Sequence, residues 1–277
     1  MKEKIVLLTH KENSSIKRAI QKLDREKGNR SLTVLSQDKK LDIPNVDQFV
    51  YNIEQLYTLN YPVIGNDIVP GHAHFPLFYY WIQTKTEFDF CWLIEYDVRF
   101  NGEWSTLFDS FENHHSGLIT SHIKHWNEEP GWPWWDLSHP VESIDKRLRV
   151  RSFNPIYRLS KEAMAYLDRC FKSGWVGHNE VILSTLLIHG GFEMFDLNGK
   201  SKYSVEGKNY SQTKSNRKGY LNNGSFRYRP TMNRTGFKKN TLYHPVKENG
   251  DGFFKRLVGY FFRKCRSVFR KAKIILN

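Results

Sequence analysis

Residues 88–104 read Phe-Asp-Phe-Cys-Trp-Leu-Ile-Glu-Tyr-Asp-Val-Arg-Phe-Asn-Gly-Glu-Trp. The run from Phe88 to Ile94 is the most continuous apolar stretch in the body of the chain, which is typical of a strand buried on both faces of a sheet. It ends in two acids one residue apart, Glu95 and Asp97. Such a strand delivers both carboxylates to the sheet edge, where Mg²⁺ or Mn²⁺ can bridge them to the phosphates of a ligand. On the tract alone, a strand end that simply turns polar remains the alternative.

The N-terminal part of the chain alternates strand and helix patterns. An apolar run at residues 4–8 precedes a helix-compatible stretch at 15–27, and a second apolar run follows at 32–35. This order predicts the opening of an α/β sheet with parallel strands. The loop after the first strand, which contains Thr9 and His10, then lies at the carboxyl edge, where ligands bind in such sheets.

The other elements on either side of the tract can also be predicted. The patterns indicate a helix from Pro76, strands at 118–123, 153–159 and 192–195, and helices at 161–173 and 179–188, with Ser160 and Gly174 as start and stop signals. The strand at 153–159 contains a proline, which favours an edge position. Residues 200–239 are polar, glycine-rich and basic, and we expect a mobile region there. The patterns together predict an α/β sheet flanked by helices, in one domain over residues 1–250.

Length and composition exclude several classes of protein. The chain has 277 residues, of which 39% are hydrophobic and 26% charged, and this fits a globular domain rather than a collagen, a coiled coil or a disordered chain. No apolar run reaches the roughly 18 residues of a membrane-spanning helix, and the first run is too short for a signal-peptide core. Three cysteines without a C-x-x-C pair indicate reduced thiols. We therefore expect a cytoplasmic protein.

The C-terminal segment 251–277 is predicted to be a basic amphipathic helix. Residues 253–277 hold eight Lys or Arg and no acid, which leaves a net charge of +5 for the first 252 residues out of +13 overall. Apolar residues recur every three or four positions, so one face is apolar and the other cationic. This pattern predicts a peripheral helix on the anionic inner face of the membrane and no nucleic-acid partner. A helix docked on the catalytic domain remains the alternative.

The tract from Trp92 to Trp104 resembles the metal-binding core of GT-A-fold glycosyltransferases. It is most similar to a little-studied group in which a Glu-Tyr-Asp-Val tract replaces the usual Asp-x-Asp. The resemblance implies a GT-A-like, Rossmann-like mixed sheet flanked by helices. It also implies a nucleotide-sugar donor, and Mn²⁺ or Mg²⁺ held on the donor pyrophosphate by Asp97. It implies weaker or indirect metal binding by Glu95, which departs from the usual Asp. Donor contacts are expected from Thr9, His10, Glu95, Tyr96 and Asp97.

Two later positions are candidates for the chemistry. Glu180 lies at the start of a predicted helix, where the helix dipole keeps a carboxylate ionised, as suits a general base; a simple first-turn acid remains the alternative. The resemblance implies that Glu180 is the base of an inverting transfer, with His178 as its rival. His244, beside Pro245, is the sort of lone histidine that is usually structural. The resemblance implies that it is a further metal ligand.

Four of the eight tryptophans fall within residues 126–135, where Pro130, Gly131 and Pro133 predict a loop. Indole faces pack against the C–H faces of sugar rings, so the loop is a candidate acceptor site. The candidate acceptor contacts are Trp126, Trp132, Trp134, Trp135 and Asp136. A small satellite core under a long loop is the alternative.

Taken together, the sequence predicts an enzyme that transfers a sugar to a hydroxyl of a glycan or lipid-linked glycan, in cell-surface polysaccharide or lipopolysaccharide assembly. Two rivals remain. A metal-dependent phosphoester hydrolase would use Asp97 and the histidines, and a nucleic-acid-binding protein would explain the positive charge and the aromatic content.

Overall fold

The computed structural model describes residues 1–65, 67–68, 71–199 and 201–247. The predicted helix at 251–277 and the last three residues of the predicted catalytic domain lie outside these ranges. The helices of the described residues are α1 Ser14–Glu26, α2 Ile53–Leu56, α3 Phe75–Thr84, α4 Trp104–Asp109, α5 Lys161–Ser173 and α6 Asn179–His189. Within the described ranges, none of the helices is both long and apolar enough to span a bilayer.

The strands of the described residues form one large sheet and three small pairings. They are β1 Glu3–Thr9, β2 Ser31–Gln37, β3 Asp47–Tyr51, β4 Phe90–Glu95, β5 Arg99–Phe100, β6 Leu118–His125, β7 Leu137–Ser138, β8 Val150–Ser160, β9 Val176–Gly177, β10 Met194–Asp196, β11 Thr213–Ser215, β12 Leu221–Gly224 and β13 Leu242–Tyr243. The large sheet has seven strands in the order β10-β6-β8-β4-β1-β2-β3. Strand β8 runs antiparallel to its neighbours β4 and β6, whereas the other pairings are parallel. The predicted mixed α/β sheet flanked by helices is therefore confirmed.

Both faces of the sheet are covered by helices. Successive residues of a strand point to opposite faces, so each strand contributes side chains to two cores. On β1, Val6 packs in a core with residues of α3, α5 and α6, while Ile5 and Leu7 pack in the other core with residues of α1 and α4. The apolar half of the acidic tract becomes β4, in the middle of the sheet, where Trp92 and Leu93 are buried on opposite faces. The prediction of a central buried strand is confirmed.

The prediction that residues 153–159 form an edge strand is wrong. They belong to β8, which is buried along its whole length between two strands. Pro155 is tolerated there because the register between β6 and β8 shifts across it: Ser121 pairs with Phe153, but Ile119 pairs with Arg158. The proline therefore sits at a bulge, where no ladder hydrogen bond is required of it.

Two further segments differ from the sequence expectations. The edge strand β3 was not predicted, because Asp47–Tyr51 is short and only its last residue is buried. Residues 201–239, expected to be a mobile region, include the β11–β12 hairpin and pack on the rest of the fold. Phe226 is 1% exposed there and contacts the rings of Phe153 and His244.

The carboxyl edge of the sheet gathers the candidate residues. Strand β1 pairs in parallel with β4, so that Leu8 lies opposite Glu95 and both strands end at the same edge. The chain returns to this edge much later, because β13 pairs antiparallel with β5 just beyond the acidic tract. His244 follows β13 directly and is thereby placed beside Glu95 and Asp97, from which it is separated by about 150 residues of sequence.

Candidate active site

Glu95, Asp97 and His244 form one compact cluster. Their ligand atoms lie within 4.8 Å of one another. His244 Nε2 is 3.4 Å from Asp97 Oδ1 and 3.8 Å from Glu95 Oε2. Asp97 Oδ1 is buried and has no hydrogen-bond partner of good geometry among the described residues. Two carboxylates and an imidazole are a ligand set suited to Mn²⁺ or Mg²⁺, so the residues fit a divalent cation.

The orientation of the His244 ring also suits metal binding. Its Nδ1 is 2.8 Å from the carbonyl oxygen of Arg227. An Nδ1–H that donates to this carbonyl leaves Nε2, which faces the two acids, as the ring atom that can ligate a cation. The ring is further fixed between Phe153 and Phe226, with centroid distances of 5.4 and 5.6 Å.

The charge states of the cluster depend on burial and on mutual contacts. Burial favours the protonated form of Asp97, but His244 and Lys247 outweigh it and hold the pKa of Asp97 well below its usual range. Burial opposes the charged form of His244, but Asp97 and Glu95 overcome it and raise the pKa of His244. Burial, assisted by the charge of Asp97, raises the pKa of Glu95 to about 7. Asp97 is therefore the stable anion of the cluster.

Lys247 is a fourth member of the cluster, and the sequence did not predict it. Its Nζ lies 3.1 Å from Asp97 Oδ2 and 5.5 Å from the centroid of the Tyr96 ring. The lysine follows His244 by three residues, and both lie on the segment that returns to the sheet edge. Its ammonium group neutralises Asp97 here and is available to a second anion that enters the site.

The cluster opens into a cavity of about 920 Å³. Acids, cations and backbone of several elements meet in its wall; the lining includes His10, Lys11, Glu95, Tyr96, Asp97, Arg99, Asn154, His178, Glu180, Arg229, His244 and Lys247. Six of the predicted site residues therefore share one cavity with Glu180. Lys11, Arg99 and Arg229 add positive charge that was not predicted for the site.

Glu180 lies at the second position of α6, with its backbone N–H 3.3 Å from Nδ1 of His178, which caps the helix. The helix dipole was expected to keep this carboxylate ionised. Burial outweighs that effect and, together with the charge of Glu95, raises the pKa of Glu180 to about 7, although Arg151 opposes the shift. A carboxylate with a pKa near 7 is well matched to proton transfer at neutral pH.

A polar network holds the start of α6 against the sheet. Asn154, on β8, donates from Nδ2 to the carbonyl oxygen of Asn179 at 3.0 Å and accepts through Oδ1 from the hydroxyl groups of Thr120 and Ser152. On the other side, the N–H of Asn179 donates to the carbonyl oxygen of Gly71 at 2.8 Å. The backbone that carries Glu180 is thus fixed from two directions, which is what a precise proton acceptor requires.

His178, the rival base, has a structural task in addition to its place on the cavity wall. Its ring caps α6 and stacks on Trp134, with a centroid distance of 5.5 Å and an interplanar angle of 20°. Burial, with a contribution from His72, lowers the pKa of His178 to about 4. The imidazole is therefore neutral at pH 7.

The tryptophan loop divides into buried and exposed members. Trp132 and Trp135 are buried with Val181 in a small core, and Trp126 packs against it. Trp132 and Trp135 are therefore largely covered, as the satellite-core alternative predicts, whereas Trp126 is only partly buried. Trp134 is 49% exposed beside the cavity-lining His178, and Asp136 is exposed.

The predicted donor residues at the end of β1 have different positions. Thr9 is buried, and its hydroxyl donates to the carbonyl oxygen of Lys11 at 2.7 Å, which fixes the turn. His10 packs edge-on against Tyr96 at 5.0 Å, and both line the main cavity and a neighbouring one of about 470 Å³. The second cavity lies over the ends of β1, β2 and β3 and has a mostly apolar wall that includes Tyr51, Ile53 and Ile68, with Gln37 and Asp67 as polar groups.

No protein-family model matches the chain, and no curated protein matches it at a significant level. Among solved structures, it is similar to glucosyl-3-phosphoglycerate synthase from Mycobacterium tuberculosis in complex with Mn²⁺, uridine diphosphate and phosphoglyceric acid. The identity is 15%, the alignment covers 60% of this chain and 57% of the synthase, and the TM-score is 0.35. This chain thus spans less than two thirds of the length of that synthase.

A further similar structure is the galactosyltransferase LgtC in complex with donor and acceptor sugar analogs. The identity is 9%, the alignment covers 66% of this chain and 69% of the transferase, and the TM-score is 0.36. At such TM-scores the likeness says nothing about activity. The function proposed below rests on the geometry of the site.

Proposed function

We propose that this protein is an enzyme, a glycosyltransferase that moves a sugar from a nucleotide-activated donor to a hydroxyl group of a glycan or lipid-linked glycan. The observation that carries the proposal is a single cavity that contains two groups of different chemistry. One is the cluster of Glu95, Asp97 and His244, and the other is the acid Glu180, whose burial raises its pKa. Sugar transfer requires both a stabilised diphosphate leaving group and a base for the acceptor hydroxyl.

The leaving-group side belongs to Glu95, Asp97 and His244, which would hold Mn²⁺ or Mg²⁺. A bound cation of this kind acts as a Lewis acid on the diphosphate oxygens. Lys247 and Arg229 face the same space and offer further positive charge to the diphosphate. The neighbouring cavity of about 470 Å³, with its tyrosine and isoleucine wall, suits the nucleoside half of the donor.

The acceptor side belongs to Glu180. Its carboxylate, with a pKa raised to about 7, takes the proton from the acceptor hydroxyl as that oxygen attacks the sugar. Attack opposite the leaving diphosphate inverts the configuration of the transferred sugar. Trp134, stacked on His178 at the cavity wall, is the exposed indole that offers an apolar face to an acceptor ring. His178 remains the rival base.

The setting that we propose is cell-surface polysaccharide or lipopolysaccharide assembly, at the cytoplasmic face of the membrane. The eight cations and the recurring phenylalanines of residues 253–277 support this setting, because such a segment is attracted to anionic lipid. An enzyme held there meets lipid-linked acceptors at high local concentration.

The decisive test is a thermal-shift screen of nucleoside diphosphates with and without Mn²⁺, on the wild type, Asp97→Ala and Glu103→Ala. A ligand that binds only the native state raises the free energy of unfolding by about 2.7 kcal/mol when the ligand concentration is a hundred times its Kd. We expect an Mn²⁺-dependent rise in melting temperature for the wild type and for the control variant Glu103→Ala. Glu103 is an exposed acid of the same tract that lies outside the cavity wall. Asp97→Ala should fold, lose this rise and lose sugar transfer.

Full transfer activity in Asp97→Ala would refute the metal assignment. The phosphoester hydrolase predicts turnover of a simple phosphoester without any sugar donor, whereas a transferase releases nucleoside diphosphate slowly until an acceptor is added. A nucleic-acid-binding protein predicts no metal-dependent nucleotide shift at all.

A further inference from the structure

Residues 207–247 hold a concentration of positive charge separate from that of the C-terminal tail. They contain ten Lys or Arg and no Asp or Glu, whereas residues 1–206 contain 24 Lys or Arg and 27 Asp or Glu. The C-terminal tail is therefore not the only basic segment of the sequence. The described part of the chain has its own cationic segment.

The most exposed part of this segment is a loop at residues 233–240, which we name the Phe237 loop. Asn101 holds it at several points. The N–H of Asn240 donates to the Asn101 carbonyl oxygen at 2.7 Å, and the N–H of Asn101 donates to the carbonyl oxygen of Thr241 at 3.0 Å. The side-chain amide of Asn101 donates to the carbonyl oxygens of Gly236 at 2.7 Å and Lys238 at 3.1 Å. The backbone of the loop is therefore fixed.

The fixed loop presents an aromatic side chain to solvent. A Cβ on Gly236 would lie 2.8 Å from the Tyr243 hydroxyl oxygen, so the backbone passes directly against Tyr243 at this glycine. The next residue, Phe237, is 96% exposed. Exposed cations lie before and after it, namely Arg234, Lys238 and Lys239. An aromatic ring held fully in water between cations has no role in packing the fold.

The loop is connected to the mouth of the candidate active site. The segment before it runs beside the cluster residue His244, because the N–H of Arg227 donates to the His244 carbonyl oxygen at 3.0 Å. The same segment contributes Tyr228, 47% exposed, and Arg229 to the cavity wall. The chain then continues from Lys247 towards the tail with its eight cations. The segment that carries the loop therefore also supplies an aromatic and a basic side chain, Tyr228 and Arg229, to the cavity wall.

We propose that the Phe237 loop docks on the surface of an anionic lipid bilayer, with Phe237 entering the headgroup region and Arg234, Lys238 and Lys239 contacting anionic headgroups. A short loop with one apolar tip and flanking cations combines the two attractions that hold proteins at such interfaces. Single-stranded nucleic acid is less well matched, since its binding grooves stack several bases on successive aromatic rings. This inference rests on the membrane association proposed above, which supplies the anionic bilayer as the partner.

The test uses the full chain and vesicles of phosphatidylglycerol or of phosphatidylcholine alone. Phe237→Ser should lower partitioning into the anionic vesicles about tenfold, because the apolar burial of one aromatic ring is lost. Replacing Arg234, Lys238 and Lys239 together by Gln should lower it at least as much at low salt, and by less at high salt. The matched control is Val141→Ser, because Val141 is 89% exposed beside the acid Glu142 and lies outside the cationic segment.

Equal partitioning of Phe237→Ser, Val141→Ser and the wild type would overturn the proposal. So would a loss of affinity for single-stranded RNA in Phe237→Ser with vesicle binding unchanged, which would assign the loop to nucleic acid. The nucleotide-dependent thermal shift separates this inference from the proposed sugar transfer. If no nucleoside diphosphate shifts the melting temperature but Phe237→Ser still weakens vesicle binding, the docking loop stands and the transferase proposal falls.

Discussion

In the proposed reaction Glu180 takes up a proton, and the burial that suits it to this role also costs stability. In the unfolded chain a glutamate titrates near 4.5, but burial raises the pKa of Glu180 to about 7 in the folded protein. Between these two values the folded state holds a proton that the unfolded chain releases. Folding stability therefore falls as pH rises from about 4.5 to 7, and above 7 the folded protein carries a poorly solvated charge. A residue kept for stability alone would not be expected to be ionisable here.

We predict that Glu180→Gln is more stable than the wild type at pH 8 and inactive in sugar transfer. The amide stays neutral where the carboxylate must ionise. A tenfold change in a protonation equilibrium corresponds to about 1.4 kcal/mol, so a gain in the free energy of unfolding of about 1 to 3 kcal/mol is expected. The gain should shrink towards pH 5, where Glu180 is protonated in the folded protein.

Urea unfolding at both pH values measures this gain. The control is Glu162→Gln, because Glu162 is an exposed acid in the first turn of α5. A destabilised Glu180→Gln at pH 8 would contradict it.

At the scale of elements, a buried ion pair connects the tryptophan loop to the middle of the sheet. Arg151, on β8, is 1% exposed, and its Nε donates to Glu129 Oε2 at 2.9 Å. The guanidinium group lies 5.0 Å from the centroid of the Trp132 ring. Glu129 also accepts from the hydroxyl of Ser215 in the β11–β12 hairpin. The loop, β8 and the hairpin therefore meet at Glu129, whose Oε1 also lies 3.7 Å from Nε2 of His122 on β6.

We predict that Arg151→Met destabilises the protein by about 3 to 5 kcal/mol, because Glu129 loses its guanidinium partner. It keeps only the hydroxyl of Ser215 and the ring of His122, and burial lowers the pKa of His122, which opposes its charged form. Replacing both residues by Met should recover a large part of the loss, since no unpaired charge remains. The control is Arg147→Met, which removes an exposed pair with Asp145 and should change stability little. Denaturant unfolding measures all three variants, and equal effects of Arg151→Met and Arg147→Met would be inconsistent with a buried pair.

The elements differ in how far the sequence can predict them. Strand β4 and helices α5 and α6 follow from local patterns, because apolar runs and capping residues act within a few positions. The central position of β8 does not follow from local patterns. Pro155 indicates an edge strand, and only the bulge opposite β6 explains how a proline fits between two strands. The sequence does not predict the hairpin at residues 213–224, because a polar, glycine-rich composition is typical of a mobile segment. The packing of the hairpin depends on partners such as Glu129 that lie far away in sequence.

The candidate site shows the same limit. Glu95 and Asp97 stand at a predictable strand end, and Glu180 at a predictable helix start. Their approach to His244 depends on the pairing of β13 with β5, which no local pattern encodes. His244 was named only through the resemblance, and Lys247 was missed although it lies three residues away. Burial could not be foreseen either, and it raises the pKa of Glu180 where the helix dipole alone would lower it.

At the scale of the whole molecule, charge is unevenly distributed along the chain and around the cavity. Residues 1–206 have a small negative balance, whereas all ten charged side chains of residues 207–247 are cationic. The cationic segment supplies Arg229 and Lys247 to the cavity wall, where Lys11 and Arg99 add further positive charge from other elements. The wall also holds the acids Glu95, Asp97 and Glu180, so the positive balance comes from the wall cations together with the cationic segment around them. A net positive field concentrates anionic ligands and speeds their association. The diphosphate of a nucleotide sugar is such a ligand.

We therefore predict that affinity for a nucleoside diphosphate falls with salt, whereas affinity for the uncharged nucleoside does not. Between about 20 mM and 300 mM salt the screening length shortens severalfold, and we expect diphosphate binding to weaken about tenfold, mainly through slower association. Replacing Lys214, Arg217 and Lys218 by Gln should flatten this dependence, because these exposed hairpin cations contribute to the field from outside the cavity wall. Stopped-flow association and calorimetry at both salt concentrations measure the effect. If the triple variant keeps the full salt dependence of the wild type, the field arises from the cavity residues alone and the contribution of the wider cationic segment is excluded.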